Sequence, residues 1–268
     1  MSRRKTNKNN KKDTYGVLLI AFTLSILAAG FYYYVDENNN KILRDKEDNC
    51  RLDGYVAKES VLLVDTTDSV NSTQYQAIKN KLEELLDNAI LDERVSVYTI
   101  TDDTMKIAPL LTTCNPGDGA DKNEWTSNKS RLKQNWELKF KEKLETTVID
   151  ILDSELAKQS PILDTIKSVG VFSFASSKAK AKQLIIISDL LHHTVDLSHY
   201  RTPKLAFSSV ENSPYIAAML TNLGGAEIEV LYITRQKDYT LQGRTHLLFW
   251  EKYFEKSNGV LTKIININ

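Results

Sequence analysis

Val61-Leu62-Leu63-Val64-Asp65-Thr66-Thr67-Asp68-Ser69 is the stretch from which the rest of the chain can be read. Four apolar residues bounded by β-branched valines make a short buried strand. The strand stops at Asp65, and hydroxyls or carboxylates then fill every position to Ser69. A buried strand ending in an acid puts that acid at the carboxyl edge of a sheet, where open α/β folds place their sites. Asp65, Thr67 and Ser69 lie two residues apart. In a turn leaving a strand, that spacing can aim three oxygens at one point, as hard divalent cations require.

A second run of the same kind is Gln183-Leu184-Ile185-Ile186-Ile187-Ser188-Asp189, again ending in an acid. Between the two runs, Asn71 and Gln74 have capping-box spacing ahead of a helical stripe through Tyr75, Ile78, Leu82, Leu85, Leu86 and Ala89. Residues 94–101 read as a strand, Asp102-Asp103 as a turn and residues 105–111 as a third, edge strand, where Pro109 is tolerated. Leu132, Trp136, Phe140, Leu144, Val148, Ile151 and Leu152 predict one long amphipathic helix. Ser160-Pro161 opens another, with serine as its cap. Ser213-Pro214 starts a helix that Gly224-Gly225 ends; strand 227–233, helix 245–256 and strand 260–265 follow. Strands alternating with helices predict a doubly wound, mostly parallel α/β sheet covered on both faces, with one antiparallel edge strand.

The first fourteen residues carry six basic side chains and one acid. Residues 15–35 contain no charge and close on Phe31, Tyr32, Tyr33 and Tyr34. As a helix this span is about 31 Å long, enough for a bilayer core. The basic arm predicts a cytoplasmic N-terminus in a single-pass plasma (inner) membrane protein, with the remainder periplasmic or extracellular. A cleaved signal peptide is the rival reading, with Ala28-Ala29-Gly30 as a small-residue site. The expected organisation is a basic arm over 1–14, a membrane helix over 15–35, a juxtamembrane tether over 36–59 and one domain over 60–268.

Basic and acidic residues number 35 each, so removing the arm leaves 29 against 34, a balance of −5. A mildly acidic domain argues against nucleic acid as the partner. Cys50 and Cys114 are the two cysteines, and outside the cytoplasm they could pair. His192, His193 and His199 follow Asp189 closely, but adjacent histidines point apart in most backbone states, which disfavours a shared zinc.

In this order of elements the chain resembles the von Willebrand factor A domain over about residues 60–268. That family carries a metal-ion-dependent adhesion site built from three loops, the first reading Asp-x-Ser-x-Ser. Here Asp65-x-Thr67-x-Ser69 stands in that place, with Thr67 for the usual serine. The second loop supplies a threonine before proline; here Ser160 precedes Pro161. The third supplies an aspartate after a buried strand; here it is Asp189. An anchor ahead of such a domain is similar to membrane-anchored bacterial members.

The resemblance implies Mg²⁺ or Mn²⁺ held by Asp65, Thr67, Ser69, Ser160 and Asp189. Two carboxylates and three hydroxyls leave the ion able to attract a carboxylate from a partner protein. Two other readings stand beside this one. One is a metal-free scaffold subunit of a membrane complex. The other is a phosphohydrolase of the haloacid-dehalogenase kind, against which Thr67 counts, because that chemistry places an acid two residues after the nucleophile.

Overall fold

Apolar side chains on both faces put the two acid-ended runs at the centre of the sheet. Strand β1, Lys58–Val64, lies parallel to Ala181–Ser188, which is β4 in chain order, with Val61 opposite Leu184 and Val64 opposite Ile187. The computed structural model describes residues 10–39, 42–67, 69–100, 107–122, 127–154 and 157–268. Residues 1–9, Asp68 and the expected Asp102-Asp103 turn lie outside these.

The chain divides into two units, Met1–Leu43 and Arg44–Asn268. The first contains helix α1, Asn10–Asn39. Its stretch Tyr15–Asp36 has mean hydropathy 1.9, and by length and composition it is able to cross a bilayer.

The second unit is one six-stranded sheet with helices on both faces. The remaining strands are β2 (Glu93–Thr99), β3 (Leu111–Cys114), β5 (Ala226–Ile233) and β6 (Gly259–Ile267), in the order β3-β2-β1-β4-β5-β6. All pairs are parallel except β2 with β3. Alternate residues of the central strands feed two cores. Leu62, Val64, Val97, Ile185 and Ile187 pack under α2 (Ser72–Asp87) and the helical run from α3 (Lys129–Trp136) to α4 (Glu142–Leu152). Val61, Leu63, Leu184, Ile186 and Val230 pack under α5 (Ile162–Val169), α6 (Pro214–Met219) and α7 (Arg244–Lys256).

Several expected elements are corrected. The third strand begins at Leu111 and runs to Cys114, later than residues 105–111, because Pro109 has no N–H to give the ladder. The long helix is broken by a π-helical turn, Glu137–Lys141. Its apolar residues recur every four positions, more than the 3.6 of an α-helix, and one wider turn returns Phe140 and Leu144 to the core side. Ser160 does not cap α5. Pro161 holds that position, while the backbone of Ser160 pairs with His193, N to O at 3.0 and 2.9 Å in the two directions. Helix α6 stops at Met219, well before Gly224, because the chain turns to seat Thr221 against Gly170. A Cβ on Gly170 would lie 2.3 Å from the Thr221 hydroxyl oxygen.

Cys50 and Cys114 are joined by a disulfide. The segment before β1 docks beside it: Arg44 and Arg51 both pair with buried Asp92, and the Cys114 N–H donates to the Asp48 carbonyl at 2.8 Å. Asp92 precedes β2 and Cys114 faces Arg94, so this docking is at the end of the sheet where the parallel strands begin. The candidate site is at the other end.

Candidate functional site

Asp65 leaves β1 with its N–H donating to the Ile187 carbonyl of β4 at 2.9 Å, which fixes the turn between the two central strands. The residue is 4% exposed, and its carboxylate accepts hydrogen bonds from three directions. Oδ1 accepts from the Thr67 N–H at 3.0 Å and the Thr67 hydroxyl at 2.8 Å. Oδ2 accepts from the Ser188 hydroxyl at 2.6 Å and, at the long distance of 3.5 Å, from Ser160. The first, second and third loops therefore meet at this one side chain. Ser69 stands apart on the rim, exposed.

Asp189, 2% exposed, follows β4 directly. Its Oδ1 accepts from the Leu191 N–H at 2.9 Å. Its Oδ2 accepts from Arg235 Nε at 2.8 Å, and Arg235 Nη1 donates to the Ser69 carbonyl at 3.0 Å. Burial first, and the Asp65 charge second, push the Asp189 carboxyl up to about 7 against the pull of Arg235. Gln242 braces the pair. Its amide donates to the carbonyls of Asp189 and Ile233 at 3.2 and 2.8 Å, and its oxygen accepts from the Arg235 N–H at 2.8 Å.

The turn after Asp189 is also pinned from below. Leu190 has φ 58°, and its N–H donates to the Ser188 hydroxyl at 2.8 Å. Its carbonyl accepts from Trp250 Nε1 at 3.0 Å and from His246 Nε2 at 2.9 Å. That bond sets the tautomer of His246, whose Nδ1 meets the Tyr232 hydroxyl at 2.7 Å. The three histidines of the loop go to different partners. His192 Nδ1 accepts from the Leu163 N–H at 3.4 Å and its Nε2 meets the Tyr215 hydroxyl at 3.0 Å. His193 Nδ1 bonds Ser198, and His199 packs edge-on against Phe249 and His246.

Of the five residues the sequence singled out, four (Asp65, Thr67, Ser160 and Asp189) are gathered at the carboxyl ends of β1 and β4. Ser69 joins through its carbonyl only. Sequence reasoning missed Ser188 as a direct partner of Asp65, and missed Arg235 altogether. The signal for Arg235 was its place, two residues past the end of β5, on the same carboxyl edge.

The order β3-β2-β1-β4-β5-β6, its antiparallel edge and the three acid-hydroxyl loops on the carboxyl ends of the central strands decide the architecture. The fold is a doubly wound α/β sheet of the kind that the von Willebrand factor A resemblance implied. No protein-family model matches the sequence of this chain, and no curated protein does. Similar solved structures include an aerotolerance-related membrane protein from Bacteroides fragilis NCTC 9343, 14% identical, over 78% of this chain and 91% of that one, TM-score 0.38. BatB from Bacteroides thetaiotaomicron is 13% identical over 78% and 90%, TM-score 0.38. The SpRpn10 VWA domain is 10% identical over 79% and 88%, TM-score 0.39. Likenesses at this level say nothing about what this chain binds.

The donor set suits a hard cation in kind, being all oxygen. Among the described residues no group of three or more His, Cys, Asp or Glu is placed to hold a metal ion, so an ion here would depend on hydroxyls as well as on Asp65 and Asp189. It would also have to share Asp189 with Arg235.

Proposed function

We propose that this chain is a membrane-anchored protein-recognition module that meets its partner at the carboxyl edge of the sheet. In this reading Asp65, Thr67, Ser69, Ser160 and Asp189 hold one Mg²⁺ or Mn²⁺ ion. Such an ion supplies a coordination position that an acidic side chain of the partner can take. The observation that carries the reading is the meeting of three loops at Asp65, with Thr67, Ser188 and Ser160 hydroxyls around one buried carboxylate. An enzymatic role for Asp65 is disfavoured, because the position two residues on is a threonine whose hydroxyl is spent on Asp65 itself.

Adding 10 mM Mg²⁺ to the protein is expected to raise its melting temperature by about 3–6 °C. This corresponds to roughly 1.4 kcal/mol for millimolar binding in a domain of this size. Asp65→Ala should abolish the increment and release the partner, while Asp189→Ala should weaken both. An unchanged melting curve for the wild type at every Mg²⁺ concentration would refute the metal. The specific observation favouring a metal-free scaffold instead is the Arg235–Asp189 pair. On that reading partner capture survives Asp65→Ala.

Anchoring through α1 with the domain outside the cytoplasm completes the proposal. It is supported by the 22-residue apolar stretch and by the disulfide, which persists in oxidising compartments. The protein should stay in the membrane fraction in high salt, and a reporter fused after Asn268 should work only outside the cytoplasm. Recovery of a shortened soluble product would mean a cleaved leader.

A further inference from the structure

We infer that Arg235 is the built-in competitor of the divalent ion: it holds Asp189 in the metal-free state, and the ion binds only as the guanidinium withdraws. This rests on the reading of Asp65 and Asp189 as cation ligands. The guanidinium touches two of the three loops at once, Asp189 Oδ2 through Nε at 2.8 Å and the Ser69 carbonyl through Nη1 at 3.0 Å. It therefore draws together the first and third loops, which a bound ion would otherwise bridge.

Charge points the same way. Among the described residues, Asp65 and Asp189 bring two carboxyl groups into the site, each residue at most 4% exposed, and Arg235 sets a guanidinium against one of them. Withdrawal of the guanidinium leaves the Asp189 carboxylate without that cationic partner and open to an incoming ion. Asp189 cannot give Oδ2 fully to both cations, so the two equilibria are linked.

The attachment of Arg235 allows such an exchange. Its backbone is held by Gln242, which also grips the Asp189 and Ile233 carbonyls, so the base of the side chain is fixed. Beyond the Asp189 contact lies an open cavity of about 650 Å³ lined by Ser69, Asn71, Gln74, Thr234, Arg235 and Tyr239, among others. That space can receive the displaced guanidinium without moving the sheet. The partner's access then depends on the ion and on the withdrawal of Arg235 together, which makes Arg235 a specificity element against divalent ions at low concentration.

The test is direct Mn²⁺ binding to the full chain in detergent, read from the loss of the free-ion electron paramagnetic resonance signal. Arg235→Gln should bind Mn²⁺ at least ten-fold more tightly than the wild type. Arg235→Lys, which keeps the charge and loses the second bond to Ser69, should fall between the two. Arg235→Gln combined with Asp189→Asn should lose the whole gain, because the competition runs through that carboxylate. Equal Mn²⁺ affinity in wild type and Arg235→Gln overturns the competition while leaving the metal site standing. No Mn²⁺ uptake by either protein overturns the metal site and this inference with it. Should Arg235→Gln fail to fold, the lysine variant alone decides, and an affinity equal to the wild type is the overturning result.

Discussion

Acidification from pH 7 to pH 5 should cost this domain about 4 kcal/mol of stability, measured as a fall in the urea midpoint. Three histidines cause the loss. His192, His199 and His246 are 0%, 3% and 2% exposed, and burial first of all lowers them from 6.5 to about 3, about 2 and about 4. The hydrogen bonding agrees for His192, whose Nδ1 already accepts from the Leu163 N–H. His199 sits among Phe249, Trp250 and His246, and neither of its ring nitrogens makes a hydrogen bond of normal geometry.

Between these depressed values and 6.5, only the unfolded chain binds the three protons. Unfolding then takes up protons, so stability is full above 6.5 and is lost as pH falls below it. Each histidine contributes roughly 2 kcal/mol of loss by pH 5, or roughly 6 for the three. Asp189 works in the opposite sense. Its folded value of about 7 exceeds the unfolded 3.8, so the folded state holds that proton and gains as pH falls from 7. This returns roughly 2 kcal/mol by pH 5, and Asp164, raised by burial, acts in the same direction. The histidines win on number. His199→Leu should recover about 2 kcal/mol of the acid loss, since it removes one titrating ring from an apolar surround. Coincident urea curves at pH 7 and pH 5 would show that the histidines are not held neutral by the fold.

How much of this was legible in the sequence depends on the physical signal behind each part. The central strands were, because complete burial demands unbroken apolar runs, and such a run that ends in Asp announces the edge of a sheet. Asp65 and Asp189 follow from that alone. The capping box at Asn71 and Gln74 formed as read, since it depends only on local spacing. Ser160 was misread as a cap because the serine–proline pair carries a strong local preference. Tertiary pairing with His193 overrode it and turned the hydroxyl toward Asp65. Arg235 was illegible for a different reason. An arginine after a strand is ordinary in sequence, and its meaning comes from β4 and β5 being neighbours in space. The three histidines sat next to a correctly placed aspartate and invited a metal reading. Their packing sends them to different partners instead: His192 to the Leu163 N–H and Tyr215, His193 to Ser198, and His199 against Phe249.

Breaking the disulfide should be the most damaging covalent change, and it should spare the site. Cys50 and Cys114 are 64 residues apart in sequence. Closing a loop of that length restricts the unfolded chain by roughly 4 kcal/mol on the loop-entropy account. The loss on Cys50→Ser or Cys114→Ser should be somewhat smaller, about 3 kcal/mol, because other contacts still dock the segment. Arg44 and Arg51 pair with Asp92, and Asn49 reaches the Lys139 carbonyl, contacts that do not run through the sulfurs. Urea unfolding with and without reductant measures the effect, and unfolding at the same midpoint in both would dismiss it. The seven residues of β1 separate this end of the sheet from Asp65, about 23 Å at strand rise. Changes that far apart with no shared partner add within a few tenths of a kcal/mol. Cys114→Ser should therefore leave the Mg²⁺ increment in melting temperature intact, and combined with Asp65→Ala should show the sum of the two separate losses. A Mg²⁺ response that disappears with the disulfide would mean that the docked segment shapes the site, which its place at the opposite end of the sheet argues against.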